Sequence, residues 1–111
     1  SVEAEAISWE EPLEVCEGTE ILINATPLGD LDCSSVTPIQ FDCLKPPLVV
    51  ADVVINPPLT PLLVAAAERG CQILDGLGML VNQAVMDLEI WTGRQPDAAV
   101  MREAVEEFLE V

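Results

Sequence analysis

The segment Leu48–Ile55 narrows the choice of fold more than any other part of this chain. All of its residues are apolar except Asp52, and such a run predicts a strand that is covered on both faces, as in parallel sheets. The strand ends at Asn56-Pro57-Pro58. A helix pattern follows from Thr60, a good N-cap residue, to Gly70. A strand followed by a helix is typical of a parallel α/β fold.

The remaining patterns extend this interpretation to a single domain over residues 1–111. Three further strands are predicted, at Val2–Trp9 (with its centre at Ala4–Ser8), Ile21–Ile23 and Cys71–Leu74. Three further helices are predicted, at Glu10–Glu17, at Met79–Trp91 and from the N-cap Asp97 to Leu109, and Leu28–Pro47 is predicted to be a loop. The sequence therefore indicates a parallel sheet of about four strands with helices at the C-terminal end.

The charge of the chain excludes one class of partner. Twenty Asp and Glu residues against four Lys and Arg give a net charge of −16, which repels phosphate backbones and anionic lipids. We therefore expect no nucleic-acid partner. Solubility is the ordinary role of such a surface, and salt adaptation is the alternative. No apolar run reaches the ~20 residues of a membrane span, so no membrane partner is expected either.

The cysteines predict neither a metal site nor a disulfide framework. Cys16, Cys33, Cys43 and Cys71 form no C-x-x-C pair, and the chain has no His. No signal peptide is recognisable at the start of the sequence. We expect four reduced cysteines in a cytoplasmic protein.

Polar or glycine-rich turns follow three of the predicted strands, at residues 24–29, 56–58 and 75–78. In an open α/β sheet, ligands bind at the carboxyl ends of the strands. These turns are consistent with a ligand crevice and equally with ordinary turn chemistry.

Four segments together resemble the shikimate dehydrogenases, which carry the patterns NATPxG, DxxYxPxxTPLL, DGxGMLxxQA and WTG. The matching segments are Ile23–Gly29 (INATPLG), Asp52–Leu63 (DVVINPPLTPLL), Asp75–Ala84 (DGLGMLVNQA) and Trp91–Gly93 (WTG). They occur in the family's order, from about residue 21 to residue 107. The resemblance implies a partial Rossmann-like three-layer sheet and a C-terminal fragment of an NADP-binding domain.

The resemblance also implies specific roles. Asn24, Ala25 and Thr26 would line the floor of the NADP site, Val53 and Gly76 would lie near the nicotinamide, and Met79 would pack on the cofactor. Each has an alternative that needs no ligand. Asn24 and Thr26 can satisfy turn amides, Gly76 and Gly78 can provide positive φ, and Met79 can fill the core.

Two residues are implicated in substrate binding. Gln83 would hydrogen-bond a hydroxyl of shikimate, although on an exposed helix face it could simply be solvated. Ile55 stands where the family usually has a Tyr whose phenol helps to hold the substrate. Because Ile cannot make that hydrogen bond, a related cyclic hydroxy acid remains an alternative substrate.

Other family features are absent from the sequence. There is no glycine loop for a pyrophosphate, no Arg motif for a 2′-phosphate, and no counterpart of the family's proton-transferring Lys and Asp. Lys45 is the only Lys and lies in a Pro-rich segment. We therefore expect part of an enzyme of aromatic amino-acid biosynthesis that interconverts 3-dehydroshikimate and shikimate with NADP. This chain alone would be inactive and would hold no catalytic residue. A non-catalytic α/β module that binds a ligand or partner is the alternative.

The resemblance finally predicts an exposed sheet edge at Ile21–Ala25, because the family's central strands have no counterpart here. The predicted strand at Ala4–Ser8 can pair with this edge, a second copy of the chain can do so, or the edge can stay open and aggregate, which the high charge would partly oppose; we favour the first two.

Overall fold

A computed structural model describes residues 2–9, 12–31, 33 and 38–111 of the chain. Its regular elements, in chain order, are β1 (Ile21–Asn24), a 3₁₀ helix (Phe41–Cys43), β2 (Val49–Asp52), α1 (Pro61–Glu68), β3 (Gln72–Leu74), α2 (Gly76–Thr92) and α3 (Ala98–Leu109). The predicted α/β class is confirmed.

The strands form one parallel sheet in the order β1-β2-β3. Ile23, Ala51 and Leu74 lie side by side in the register of the three strands. Because all three strands run in the same direction, the segments that follow them meet at one edge of the sheet. The predicted strands at Ile21–Ile23, Leu48–Ile55 and Cys71–Leu74 are thus confirmed; the first extends one residue further, and the other two are shorter than predicted.

Helix α1 covers one face of this sheet. The Thr60 hydroxyl caps it by accepting a hydrogen bond from the Leu63 amide at 3.4 Å, and Pro61 occupies the first helical position. The helix buries its apolar side chains against alternate residues of β2. The resulting core consists of Leu44, Leu48, Val50, Leu62, Leu63, Ala65, Ala66 and Cys71.

The opposite face of the sheet is largely bare among the described residues. Ile21 and Ile23 are each 60% exposed and Leu74 is 52% exposed. Burial along β2 alternates, with Val50 and Asp52 buried and Val49 and Ala51 only half-buried. The prediction that the β2 strand is covered on both faces is therefore wrong for this part of the chain.

The predicted strand at Val2–Trp9 is wrong. The described residues 2–9 form no strand and are all exposed, so the sheet has three strands in the described ranges rather than about four. The Trp9 indole donates a hydrogen bond to the Pro38 carbonyl at 3.3 Å. Alternation of apolar and acidic residues fits a strand only where a neighbouring strand supplies hydrogen bonds. The segment consequently does not pair with β1, and the prediction that Ala4–Ser8 pairs with that edge of the sheet is also wrong.

The predicted helix at Glu10–Glu17 is wrong as well. Glu10 and Glu11 lie outside the described residues, and residues 12–17 are not helical. Leu13 instead forms a parallel bridge with Ile39, in which its amide donates to the Pro38 carbonyl at 2.9 Å. Without tertiary packing, a segment of about two turns makes too few hydrogen bonds to offset the free energy of helix nucleation. In the predicted loop Leu28–Pro47, the structure adds the 3₁₀ helix and this bridge; residues 32 and 34–37 are not described.

Helix α2 begins three residues before the predicted start at Met79. Asp75 is its N-cap, and the carboxylate accepts a hydrogen bond from the Gly78 amide at 2.7 Å. The segment Gly76–Gly78, expected to be a turn, is therefore the first turn of the helix. Its predicted end is confirmed by Gly93, at φ 69°. Helix α3 follows with the predicted N-cap Asp97. None of the helices in the described part of the chain is long and apolar enough to cross a bilayer.

Candidate functional site

Three buried polar side chains connect the ends of β1 and β2 with the start of α1. Asn24, Asp52 and Thr60 are 3%, 2% and 0% exposed. The Asn24 amide donates to Asp52 Oδ1 at 3.1 Å, and the Thr60 hydroxyl donates to Asp52 Oδ2 at 2.8 Å. Asp52 Oδ1 also accepts from the Val54 amide at 3.0 Å. These bonds satisfy polar groups whose burial would otherwise be costly, and they fix the strand ends relative to each other.

The turn after β1 is built on the same Asn24. Its Oδ1 accepts hydrogen bonds from the Thr26 amide at 3.2 Å and the Thr26 hydroxyl at 2.6 Å, and its Nδ2 donates to the Leu28 carbonyl at 3.1 Å. With these bonds and the one to Asp52, the amide group of Asn24 is engaged inside the protein. Its role in lining an NADP site stays a prediction. The observed contacts hold the turn that presents Ala25 and Thr26.

A cleft of ≈ 510 Å³ opens beside the carboxyl ends of the strands. Because it is the larger of two clefts at this end of the sheet, we call it the larger cleft. Its wall is mainly apolar, with an amide, two carboxylates and a guanidinium among its polar groups. It is lined by Ile23, Ala51, Asp52, Val53, Ile73, Leu74, Asp75, Gly78, Met79, Asn82 and Arg102.

A second cleft of ≈ 310 Å³, the smaller cleft, shares Val53 with the larger one. It is lined by Ala25, Thr26, Pro27, Asp30, Val53, Val54 and Ile55. Five of the predicted site residues therefore line one cleft or the other: Ala25, Thr26, Val53, Ile55 and Met79. A more voluminous cleft of ≈ 630 Å³ lies before the amino ends of β1 and β2 and contains Lys45 but none of the predicted residues.

Gly76 lies beneath the clefts and contacts the backbone of the segment that follows β2. A Cβ atom on Gly76 would lie 2.3 Å from the Val54 carbonyl oxygen and 2.8 Å from that of Val53. Only glycine fits at this distance. Neither Gly76 nor Gly78 has a positive φ, so that alternative explanation of these glycines is wrong. The predicted proximity of Gly76 to a nicotinamide stays a prediction.

Met79 and Gln83 are four residues apart on α2 and therefore share a face of the helix. Met79 is 47% exposed and lines the larger cleft, so the alternative that it fills the core is wrong. Gln83 is exposed two turns into α2, one turn further along than expected, and lines neither cleft. Its side chain is free of the core, as a substrate contact requires, but solvation remains equally consistent with its position.

An ion pair that no sequence pattern predicted lies at the rim of the larger cleft. Arg102 of α3 donates to both carboxylate oxygens of Asp75, at 3.1 and 2.6 Å, and through Nε to Glu106 at 2.7 Å. The hydrogen bonds from Arg102 hold the pKa of Asp75 below its ordinary value, and the two carboxylates raise the pKa of Arg102. Asp75 and Arg102 are 27 residues apart, a separation at which no sequence pattern reveals contact. Asn82 also lines the larger cleft but was not among the predicted site residues. It occupies a variable position of the DGxGMLxxQA pattern, next to the motif residue Gln83.

Parallel strands joined through a covering helix, with clefts at their carboxyl ends, define this chain as part of a Rossmann-like α/β domain. A family model described as the shikimate 5′-dehydrogenase C-terminal domain matches residues 76–106. A shikimate dehydrogenase (NADP(+)) of Microcystis aeruginosa is 41% identical over 104 residues, which are 91% of this chain and 36% of the relative. The chain thus resembles the C-terminal part of the shikimate dehydrogenases, as its motifs predicted.

Two solved structures are also similar to this chain in fold and sequence. A ligand-free 5-ketofructose reductase of a Gluconobacter strain superimposes with a TM-score of 0.88 and 47% identity, covering 94% of this chain and 38% of that protein. A shikimate dehydrogenase in complex with NADP+ superimposes with a TM-score of 0.75 and 36% identity, covering 84% of this chain and 33% of that protein. The chain therefore spans about a third of the length of these relatives.

Proposed function

We propose that this chain supplies the nicotinamide side of the active site in an NADP-dependent shikimate dehydrogenase, which interconverts 3-dehydroshikimate and shikimate. The observation that carries the proposal is the meeting of the two clefts at Val53. There the larger cleft, lined by Met79 from the residues implied to bind cofactor, adjoins the smaller cleft, lined by Ile55, one of the two residues implied to bind substrate. The identity of 41% to a shikimate dehydrogenase over 91% of the chain supports it further.

The larger cleft suits a nicotinamide cofactor. A planar ring needs apolar walls, which Ala51, Val53 and Met79 provide, and its carboxamide needs a polar partner, which Asn82 can provide. When bound, the cofactor supplies the hydride chemistry, and the protein positions the reactants. The net charge of −16 opposes an anionic ligand, so the phosphate-binding groups would lie in a part of the protein outside this chain.

Proton transfer is also proposed to depend on residues outside this chain. Lys45 is the only Lys, and it lines the cleft at the amino ends of the strands, away from Val53 and Met79. The described residues contribute walls and a candidate substrate amide, Gln83, to the reaction. General acid–base assistance is typically worth ~10²–10⁴ in rate, so we expect the isolated chain to be inactive. The alternative of a non-catalytic binding module would apply if the whole protein binds ligand without turnover.

A second candidate substrate class is a polyhydroxy ketone without a carboxylate. Two observations favour it. Ile55 lines the smaller cleft where the shikimate dehydrogenases usually have a Tyr, and the 5-ketofructose reductase shares more identity with this chain (47%) than the NADP+-bound shikimate dehydrogenase does (36%). The reaction type is the same for both substrates.

The proposal includes a cytoplasmic location. All four cysteines have free thiols, as is usual for proteins of the reducing cytoplasm, and either activity agrees with that location.

Substitution of Gln83 tests the substrate contact. In the full-length enzyme, Gln83→Ala should leave a substrate hydroxyl unpaired, at a cost of ~1–3 kcal/mol, and should raise KM for the substrate much more than KM for NADP. Steady-state kinetics with shikimate and with 5-ketofructose would decide between the two substrate classes. Gln95→Ala, at an exposed position outside the helices, is the control. Equal losses for cofactor and substrate would show that Gln83 is structural.

A further inference from the structure

The start of α2 is held from two sides. Asp75 is the single residue between β3 and α2, so its orientation sets the direction in which the helix leaves the sheet. On one side, Gly76 rests against the carbonyl groups of Val53 and Val54. On the other side, Arg102 of α3 binds the Asp75 carboxylate through both of its terminal nitrogens.

The two oxygens of Asp75 have different partners. Oδ1 accepts from the Gly78 amide at 2.7 Å and from Arg102 at 3.1 Å, whereas Oδ2 accepts from Arg102 at 2.6 Å. The cap and the ion pair are therefore joined through one carboxylate. Glu106, one turn beyond Arg102, binds the guanidinium Nε and fixes its plane. A planar guanidinium held in this way determines orientation as well as distance, which a lysine ammonium cannot do.

The residues positioned by this contact are those proposed to bind ligand. Met79 lies in the first turn of α2 and Gln83 one turn later, about 6 Å further along the axis at 1.5 Å per residue. Arg102, Asp75 and Met79 also line the same cleft. A change in the direction of α2 at Asp75 would therefore move both Met79 and Gln83 relative to the strand ends.

We propose that Arg102 is a positioning residue, which acts through Asp75 to fix the first turn of α2 and thereby the placement of Met79 and Gln83. This role rests on the proposed function. The acidic chain has only four cationic side chains, and one of them is placed here, on a helix that has no other contact with the cleft. Helix α3 would thus serve the active site, although its residues are not predicted to touch either ligand.

The test compares two variants. Arg102→Met removes the charge but keeps an unbranched side chain, whereas Arg102→Lys keeps the charge but cannot make the paired hydrogen bonds of a planar guanidinium. Arg94→Met is the matched control, because Arg94 is exposed and lies beyond the end of α2. The first readout is hydrogen exchange of the Gly78 and Met79 amides in this chain. We expect exchange at least tenfold faster in Arg102→Met, an intermediate value in Arg102→Lys, and no change at the Leu63 amide of α1.

The second readout is kinetic and uses the full-length enzyme. Arg102→Met should raise KM for the substrate by about tenfold with a smaller change in kcat, and Arg102→Lys should restore part of the loss. Unchanged exchange at Gly78 and Met79 would overturn the proposal. Faster exchange with unchanged KM values would overturn the positioning role, leaving a purely structural ion pair. An inactive wild-type enzyme would overturn the proposed function, and the positioning role with it. This outcome is distinguished from a failure of the positioning role alone because it is observed in the unsubstituted enzyme.

Discussion

At the scale of single residues, Gly76 shows how a motif position can have a packing reason of its own. The family resemblance assigns this glycine to the cofactor, but its missing side chain is already required by the carbonyl groups of Val54 and Val53, which a Cβ atom would approach to 2.3 and 2.8 Å. The first turn of α2 can lie so close to the end of β2 only because residue 76 has no side chain.

Gly76→Ala should consequently destabilise the chain, because the added methyl group meets rigid backbone; overpacking of this kind costs ~1–3 kcal/mol. Gly78→Ala is the control. It lies in the same helical turn, and its Cβ would meet only side-chain atoms, of Asp75 at 3.3 Å and of Arg102 at 3.8 Å. Alanine is favoured over glycine within a helix by roughly 0.5–1 kcal/mol. Urea unfolding of the three proteins measures the difference, and equal stabilities of the two variants would contradict the packing explanation.

At the scale of elements, the order and type of the C-terminal half could be predicted, whereas the N-terminal segment could not. From Leu48 onwards, each strand and helix has an apolar pattern together with a local start or stop signal, such as Thr60-Pro61, Asp97 or Gly93. These signals act within one turn, so they can be recognised without knowledge of the tertiary contacts.

The described residues among the first 17 do not adopt the elements that their sequence patterns predicted. Val2–Trp9 has the alternation of a strand but no strand beside it, and Leu13 pairs with Ile39 through a contact between distant segments. The candidate site likewise has features that the sequence patterns indicated and a contact that they did not. Several residues that the motifs indicated around Val53 line the clefts, and their binding roles stay predictions. The contact of Arg102 with Asp75 depends on how α3 folds back on α2, which local patterns do not encode.

The buried polar side chains that join β1, β2 and α1 give a prediction at this scale. Thr60→Val removes the hydroxyl that donates to Asp52 and accepts from the Leu63 amide. We expect a loss of about 1–3 kcal/mol for the unsatisfied buried group, with ~1 kcal/mol more for the lost cap.

Thr60→Ser keeps the hydroxyl and removes only a methyl group, which is worth ~0.8 kcal/mol by transfer alone. Thermal unfolding should therefore rank the Val variant as much less stable than the Ser variant. If the two variants were equally destabilised, the methyl packing of Thr60 rather than its hydrogen bonds would connect these elements.

At the scale of the whole molecule, the sheet leaves β1 at an edge with Ile21 and Ile23 on a bare face. Residues 2–9 do not cover it, so of the three predicted outcomes, pairing with a second copy and an open edge that aggregates are left. We expect the isolated chain to self-associate through β1, and more strongly at high salt, because screening weakens the repulsion between two copies of charge −16.

Sedimentation at several concentrations tests this expectation. Ile23→Lys should shift the chain towards the monomer, because a Lys on an edge strand opposes pairing. Val2→Lys adds the same charge at a residue that is 93% exposed and lies outside the sheet, and it should associate like the unaltered chain. A monomer at all concentrations, with rapid exchange of the β1 amides, would show that the edge is tolerated.

We propose that this chain forms the nicotinamide side of an NADP-dependent oxidoreductase that requires further residues for activity. The most direct measurement follows the absorbance of reduced cofactor with shikimate and NADP, for the 111-residue chain and for the full-length protein in parallel. We predict turnover by the full-length protein and none by the chain alone. Turnover by the isolated chain within tenfold of the full-length protein would contradict the account, and so would a full-length protein that reduces NADP with neither shikimate nor a polyol.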